Sequence, residues 1–173
     1  MGVFIVNSIF TRRSIRNYLN KEVDKSIIEQ LLKAAMQAPS AGNQRPWEFI
    51  VVRDKDMLNQ LGLVSPYAGP VKESNVAIIV LGNLANERVK FPECLPQDLA
   101  AATQNILLQA TELDLGTVWL GVAPVEERMD KVRSLFNLPT SIIPFSIVAI
   151  GYSDVKNNYI DRYEANKVHY DKY

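Results

Sequence analysis

The chain has 173 residues, which suits one domain with a sizeable core and leaves little room for a second. Its 19 basic and 19 acidic side chains cancel, which argues against a general nucleic-acid footprint or a polybasic membrane surface and points to small molecules or protein as partners. Cys94 is the only cysteine and His169 the only histidine, so an internal disulfide and a Cys/His zinc cluster are both excluded.

Met1 to Phe10 is apolar but short, has no basic leader and no small-residue cleavage site, and predicts a first helix. No apolar run approaches the roughly 20 residues of a membrane span, so the expectation is a soluble, cytoplasmic protein. Arg12-Arg13-Ser14-Ile15-Arg16 follows. In an extended segment alternate residues share a face, so Arg12, Ser14 and Arg16 converge there while Ile15 packs inward. Two guanidinium groups and a hydroxyl suit phosphate oxygens. Taken alone, the segment reads more readily as a solvated basic turn.

Ile27, Ile28, Leu31, Leu32, Ala35 and Met36 recur at helical spacing, with Ser26 and Glu29 as a capping box and Pro39 as the stop. Pro39 to Trp47 forms a loop of rigid turns, small side chains and amides. Ser40, Ala41 and Gly42 let backbone approach a flat ring, and Ser40, Asn43 and Gln44 add donors and acceptors for a heteroaromatic edge. An ordinary helix-to-strand connection explains this stretch equally well.

Trp47 to Val52 predicts a strand, and Asp54 caps a short helix carrying Met57, Leu58 and Leu61. Asn75 to Gly82 is a continuous apolar run, expected in a strand covered on both faces. Leu84 to Leu95 is irregular. Pro96 then opens a long alanine-rich helix to about Leu113, with Leu99, Thr103, Ile106, Leu107 and Ala110 on its apolar face. Leu115 to Val122 predicts a strand, Val125 to Phe136 a helix and Ile142 to Tyr152 a last buried strand. The tail, Ser153 to Tyr173, has no clear period, but Tyr159, Tyr163, Val168, Tyr170 and Tyr173 are too apolar to stay solvated, so it is expected to dock. Cys94 reads as a small apolar residue and His169 as a tail-packing one. A nucleophilic triad built on His169 lacks any activated-nucleophile context.

Three stretches in this order and register resemble the FMN-dependent nitroreductase family, and the resemblance spans nearly the whole chain. They are Arg-Arg-Ser-Ile-Arg after helix one, Ala-Pro-Ser-Ala-Gly-Asn-Gln-Arg-Pro-Trp after helix two, and Ala-Ala-Thr-Gln-Asn-Ile-Leu-Leu-Gln-Ala followed by Leu-Gly-Thr-Val-Trp-Leu-Gly. The resemblance implies a single α+β domain over residues 1–173. Its three-layer α-β-α fold has a mixed, largely antiparallel central sheet, in an interlocked homodimer with FMN at the subunit interface.

By position, the resemblance implies that Arg12 and Ser14 hold the phosphate and ribityl end, with Arg13 in support. Lys167, or alternatively Arg162, completes the phosphate pocket, and Arg16 lies nearer the flavin ring. Pro39, Ser40, Ala41 and Asn43 of the other chain meet the ring, while Trp119, Leu120 and Gly121 line its other side. The implied activity is hydride transfer from NADH or NADPH through flavin N5 to nitroaromatic, quinone or similar acceptors in a ping-pong cycle, with no protein nucleophile and no metal. The missing G-x-G-x-x-G turn agrees with a nicotinamide that merely stacks on the flavin. Two alternatives stay open: a flavin store or sensor without efficient turnover, and a flavin-fragmenting or dehalogenating relative. The cover over the flavin also stays open among Phe91, Pro92 and Tyr67.

Overall fold

A four-stranded sheet with helices on both faces organises the chain in a computed structural model that describes residues 7–155 and 158–173. The elements in order are α1 (Asn7–Thr11), α2 (Lys25–Met36), β1 (Trp47–Val52), α3 (Lys55–Leu61), α4 (Gly69–Glu73), β2 (Val76–Asn83), α5 (Leu95–Glu112), β3 (Gly116–Gly121), α6 (Glu126–Phe136) and β4 (Ile142–Gly151). The strands lie in the order β1-β2-β4-β3 and all three pairings are antiparallel. The expected α+β layering is therefore present.

The continuous apolar run of β2 is explained by its place inside the sheet, buried on both faces. One face packs against α2 and α5 through Leu31, Ala35, Leu99 and Ile106. The other packs against α3, α4 and α6 through Leu58, Leu61, Val71, Met129 and Val132. The buried side of α5 includes Leu99, Thr103, Ile106, Leu107 and Ala110, as expected from their spacing, and also Asp98. Gly82 lets α5 close on β2, since a Cβ there would stand 2.8 Å from a methyl of Leu95.

Some local expectations change. The Ser26–Glu29 capping box does not form, because α2 starts two residues earlier than that box requires, with Asp24 at its N-cap and no side-chain cap bond. Asp54 does cap α3, accepting a hydrogen bond from the Met57 N–H at 2.9 Å. Pro70 lies in the first turn of α4, a helix with no clear sequence signal. Of the expected first helix, Asn7 to Thr11 is helical, and Met1 to Val6 lie outside the described residues. The tail docks only at its root: Tyr159 stacks on Phe10 with ring centroids 5.3 Å apart, and the Ile160 N–H donates to the Phe10 carbonyl. Beyond that point the side chains of Tyr163, Tyr170 and Tyr173 stay exposed.

The sheet fixes where the loops and strand ends lie relative to one another. Trp47 pairs with Gly82, and Gly82 pairs with Ile143. The loop before β1 therefore lies at the same end of the sheet as Gly121 but on the opposite edge. Ser14 bridges to Thr117 at the far end of β3. Three strand spacings, roughly 14 Å, separate the two edges.

Candidate functional site

The basic segment attaches to the sheet through backbone. Ser14 forms a parallel bridge with Thr117, and the Ile15 N–H donates to the Thr117 carbonyl at 2.8 Å. Ile15 is buried while Ser14 and Arg16 are exposed, as the alternation requires. The two arginines at its ends do not share one cavity, however. Arg12 lines a recess of about 240 Å³ with Arg13, Asp161 and Arg162, whereas Arg16 lines a different one beside β3.

In the first recess positive charge is crowded. Burial, then the charges of Arg13 and Arg162, hold the Arg12 guanidinium below its ordinary pKa. Arg13 donates to the Arg12 carbonyl at 2.6 Å and to the Asn158 carbonyl at 2.5 Å, tying the root of the tail to this corner. The tail thus delivers Arg162 to Arg12. Lys167 goes elsewhere: its ammonium pairs with Glu164 at 2.7 Å and it does not line the recess. With Arg13 tethered to the Arg12 and Asn158 carbonyls, the guanidinium groups of Arg12 and Arg162 are the ones that can meet an anion in this recess, which Asp161 also lines.

The second cavity, about 380 Å³, runs along the outer edge of β3 and is lined by Arg16, Tyr67, Trp119, Leu120, Gly121 and Arg128, among others. Strand parity explains what this edge offers. The Thr117 carbonyl points away from β4 to reach Ile15, so the backbone groups of Trp119 and Gly121 point outward too. The Gly121 carbonyl indeed accepts a hydrogen bond from Arg128 at 3.1 Å. The side chains diverge: Trp119 meets Phe145 edge-on, with centroids 5.9 Å apart on the α5 side, while Leu120 is buried on the other side. What Trp119 and Gly121 present together is a strip of outward backbone donors and acceptors suited to a planar heterocycle, while the backbone of Leu120 between them faces β4.

The Pro39 to Trp47 loop is a left-handed turn. Gly42, Asn43 and Arg45 have φ of +54°, +57° and +45°. A Cβ on Gly42 would come within 2.8 Å of the Phe91 ring, so glycine lets that ring lie against the backbone. Ser40 accepts from the Arg45 N–H at 2.9 Å, and Asn43 is exposed. Gln44 is not available to a ligand, contrary to expectation. It is buried, its oxygen accepts from the Lys90 and Phe91 N–H groups, and its nitrogen donates to the Phe91 carbonyl and to Asp98 at 2.7 Å. Asp98 also accepts from the Ala41 N–H at 2.9 Å. This latch fixes the loop on α5, and one signal for it was present: Asp98 stands on the apolar face of that helix, next to Leu99 and one turn from Leu95 and Ala102.

Within one chain the structure brings Arg12, Arg13, Ser14 and Arg16 to β3, together with Trp119, Leu120 and Gly121. It leaves Pro39, Ser40, Ala41 and Asn43 at the diagonally opposite corner. Arg128 went unnoticed in the sequence, because nothing in α6 alone shows that it turns back to Gly121.

Residues 9–66 and 66–152 match the family model described as "Nitroreductase family". The chain belongs to this family. It is 43% identical over 169 residues to a candidate NADH dehydrogenase/NAD(P)H nitroreductase of Methanothermobacter thermautotrophicus, covering 98% of this chain and 87% of the relative. Among solved structures, a candidate NADH oxidase from Clostridium acetobutylicum is 49% identical with a TM-score of 0.93, covering 96% of this chain and 99% of that one. A candidate nitroreductase from Desulfovibrio desulfuricans, solved in complex with FMN, is 28% identical with a TM-score of 0.81, covering 97% and 96%. The nitroreductase fold and the antiparallel sheet derived above agree. Among the described residues, no helix is long and apolar enough to cross a membrane.

Proposed function

We propose that this chain, as a single domain over residues 1–173, is an FMN-dependent NAD(P)H oxidoreductase that works as a homodimer in the cytoplasm. The observation that carries the reading is the arginine corner: Arg12, crowded by Arg13 and Arg162, lies at one end of β3, and an outward-facing backbone edge with Arg16 beside it continues from there. A phosphate at one end and a flat, carbonyl-bearing ring along the edge match that order of chemistry. The residues therefore fit the cofactor.

In this proposal Arg12 and Arg162 take the phosphate by charge-assisted hydrogen bonds, and Ser14 adds a hydroxyl toward the ribityl chain. Arg13 holds the tail in place. Arg162 fills the role rather than Lys167, whose charge is already paired with Glu164. Arg16 supplies a fixed positive charge beside the ring, where reduction concentrates negative charge. Trp119 and Gly121 position the ring by their outward backbone groups, and Leu120 between them anchors the strand through its buried side chain. When bound, FMN supplies hydride acceptance at N5 from NADH or NADPH and its delivery to a nitroaromatic, quinone or similar acceptor on the same vacated face, a ping-pong cycle.

Pro39, Ser40, Ala41 and Asn43 serve the ring bound by a second copy, since in their own chain they lie on the far edge of the sheet. Exposed apolar groups support that assembly. Ile9, Met36 and Phe91 stand out from the body, and Tyr163 and Tyr170 of the tail find no cover in their own chain. Equilibrium titration with FMN combined with sedimentation tests the reading. Micromolar or tighter binding by a dimer supports it, whereas no FMN binding at micromolar concentration in modest salt, or a stable FMN-loaded monomer, refutes it.

A further inference from the structure

One cation in the β3 cavity has no role in the scheme above. On α6 every acid is already paired: Glu127 holds Lys131 at 2.8 Å, and Asp130 and Glu126 hold Arg133 at 2.9 and 3.8 Å. Among the described residues Arg128 is the basic residue of that helix with no carboxylate at ion-pair distance, although it feels the charge of the neighbouring Glu127, whose carboxylate is bonded to Lys131. Its guanidinium donates one hydrogen bond, to the Gly121 carbonyl at 3.1 Å, and stands 5.7 Å from the centre of the Tyr67 ring. Of its five N–H donors, most remain open. The cavity it lines contains two arginines, an exposed aromatic ring and the small apolar surfaces of Pro70 and Val118, and no acid.

We infer that Arg128 is a specificity residue that selects aromatic electron acceptors carrying a carboxylate, with Tyr67 stacking on the arene and Arg128 receiving the anion. This inference rests on the oxidoreductase reading and deepens it. The contact to Gly121 keeps the guanidinium at the strand edge, and the adjacent ring shields one face from water, which strengthens a charge-assisted bond there. A carboxylate meets a planar fork and an aryl group meets a ring. An uncharged acceptor of the same shape gains only the second contact.

The test measures binding of benzoate and benzyl alcohol, neither of which is reduced, to the FMN-loaded protein by calorimetry. The native protein should prefer benzoate by about tenfold, the scale of one charge-assisted contact. Arg128→Gln should abolish most of that preference and Arg128→Lys should restore part of it, while Tyr67→Ala should weaken both ligands and keep the preference. In turnover, Arg128→Gln should raise KM for 4-nitrobenzoate relative to 4-nitrobenzyl alcohol with little change in kcat. Equal binding of the two probes by the native protein, or a preference that survives Arg128→Gln, overturns the inference. So does loss of FMN from that variant, which would assign Arg128 to the cofactor, or a rise in KM confined to NADPH, which would assign it to a nucleotide phosphate. Absence of flavin from the native protein instead defeats the underlying oxidoreductase reading.

Discussion

Replacing Arg12 by alanine should move two quantities in opposite directions. In the free protein Arg12 is partly buried among like charges, and both causes depress its pKa. A cation whose folded pKa lies below its unfolded value costs stability at neutral pH, because the folded state disfavours its charged form. Arg12→Ala removes that cost and should raise the melting temperature of the FMN-free protein. The same change deletes a guanidinium from the phosphate recess. One charge-assisted hydrogen bond contributes roughly 1.5–3 kcal/mol, and about 1.4 kcal/mol is tenfold in affinity, so FMN binding should weaken at least about tenfold. Salt provides an independent check: screening the arginines should stabilise the FMN-free protein and weaken FMN binding together. The assays are thermal unfolding of FMN-free samples and fluorescence titration with FMN, each over a salt series. Unchanged FMN affinity in Arg12→Ala would falsify the placement of the phosphate, and a lower melting temperature without FMN would contradict the crowding argument.

Arg162→Ala should weaken FMN binding on a scale similar to Arg12→Ala, while Lys167→Ala should change it less than about twofold, as for an exposed pair of small energetic weight; fluorescence titration ranks the two, and a larger effect at Lys167 would reverse the assignment. Gln44→Ala leaves the buried Asp98 and the Lys90 and Phe91 N–H groups short of partners, so chemical denaturation should show a loss of about 2–3 kcal/mol, and a loss below about 0.5 kcal/mol would mean that the latch is solvated. Burial pushes the Tyr18 phenol above its ordinary value, against a smaller opposite pull from Arg16. Its neutral form therefore stabilises the fold up to the unfolded value of about 10, and that contribution fades as pH climbs from there through the folded value. Tyr18→Phe removes the hydroxyl that donates to the Ile15 carbonyl at 2.8 Å, so melting curves should show a less stable protein at pH 7 with a shallower alkaline decline; an equally steep decline would exclude Tyr18 as its source.

The elements were legible where one physical signal dominated. The unbroken apolar run of β2 required cover on both faces, and the spacing of Leu99, Ile106 and Ala110 marked the buried side of α5. Strand order was not legible, because β4 inserts between β2 and β3 through pairings far apart in sequence. Ser26 and Glu29 had the right spacing for a capping box, but Asp24 starts the helix earlier. In the site, alternation correctly separated Ile15 from Ser14 and Arg16. It could not show that Arg12 and Arg16 serve different cavities, which depends on where the tail and α6 return. Gln44 carried the right chemistry for a ligand and spends it on Asp98 and the Lys90–Phe91 backbone instead, a choice set by tertiary contacts alone. The cofactor and the activity were implied by the family resemblance alone, since no pattern of spacing or charge in the sequence names a flavin.

An absorbance spectrum of the purified protein, followed by anaerobic titration with NADH and with NADPH, tests the central claim most directly. Oxidised-flavin bands at one FMN per chain should bleach with at least one nucleotide and return on addition of a quinone or nitroaromatic. A protein that stays colourless after incubation with FMN, or yellow protein that neither nucleotide bleaches, would contradict it.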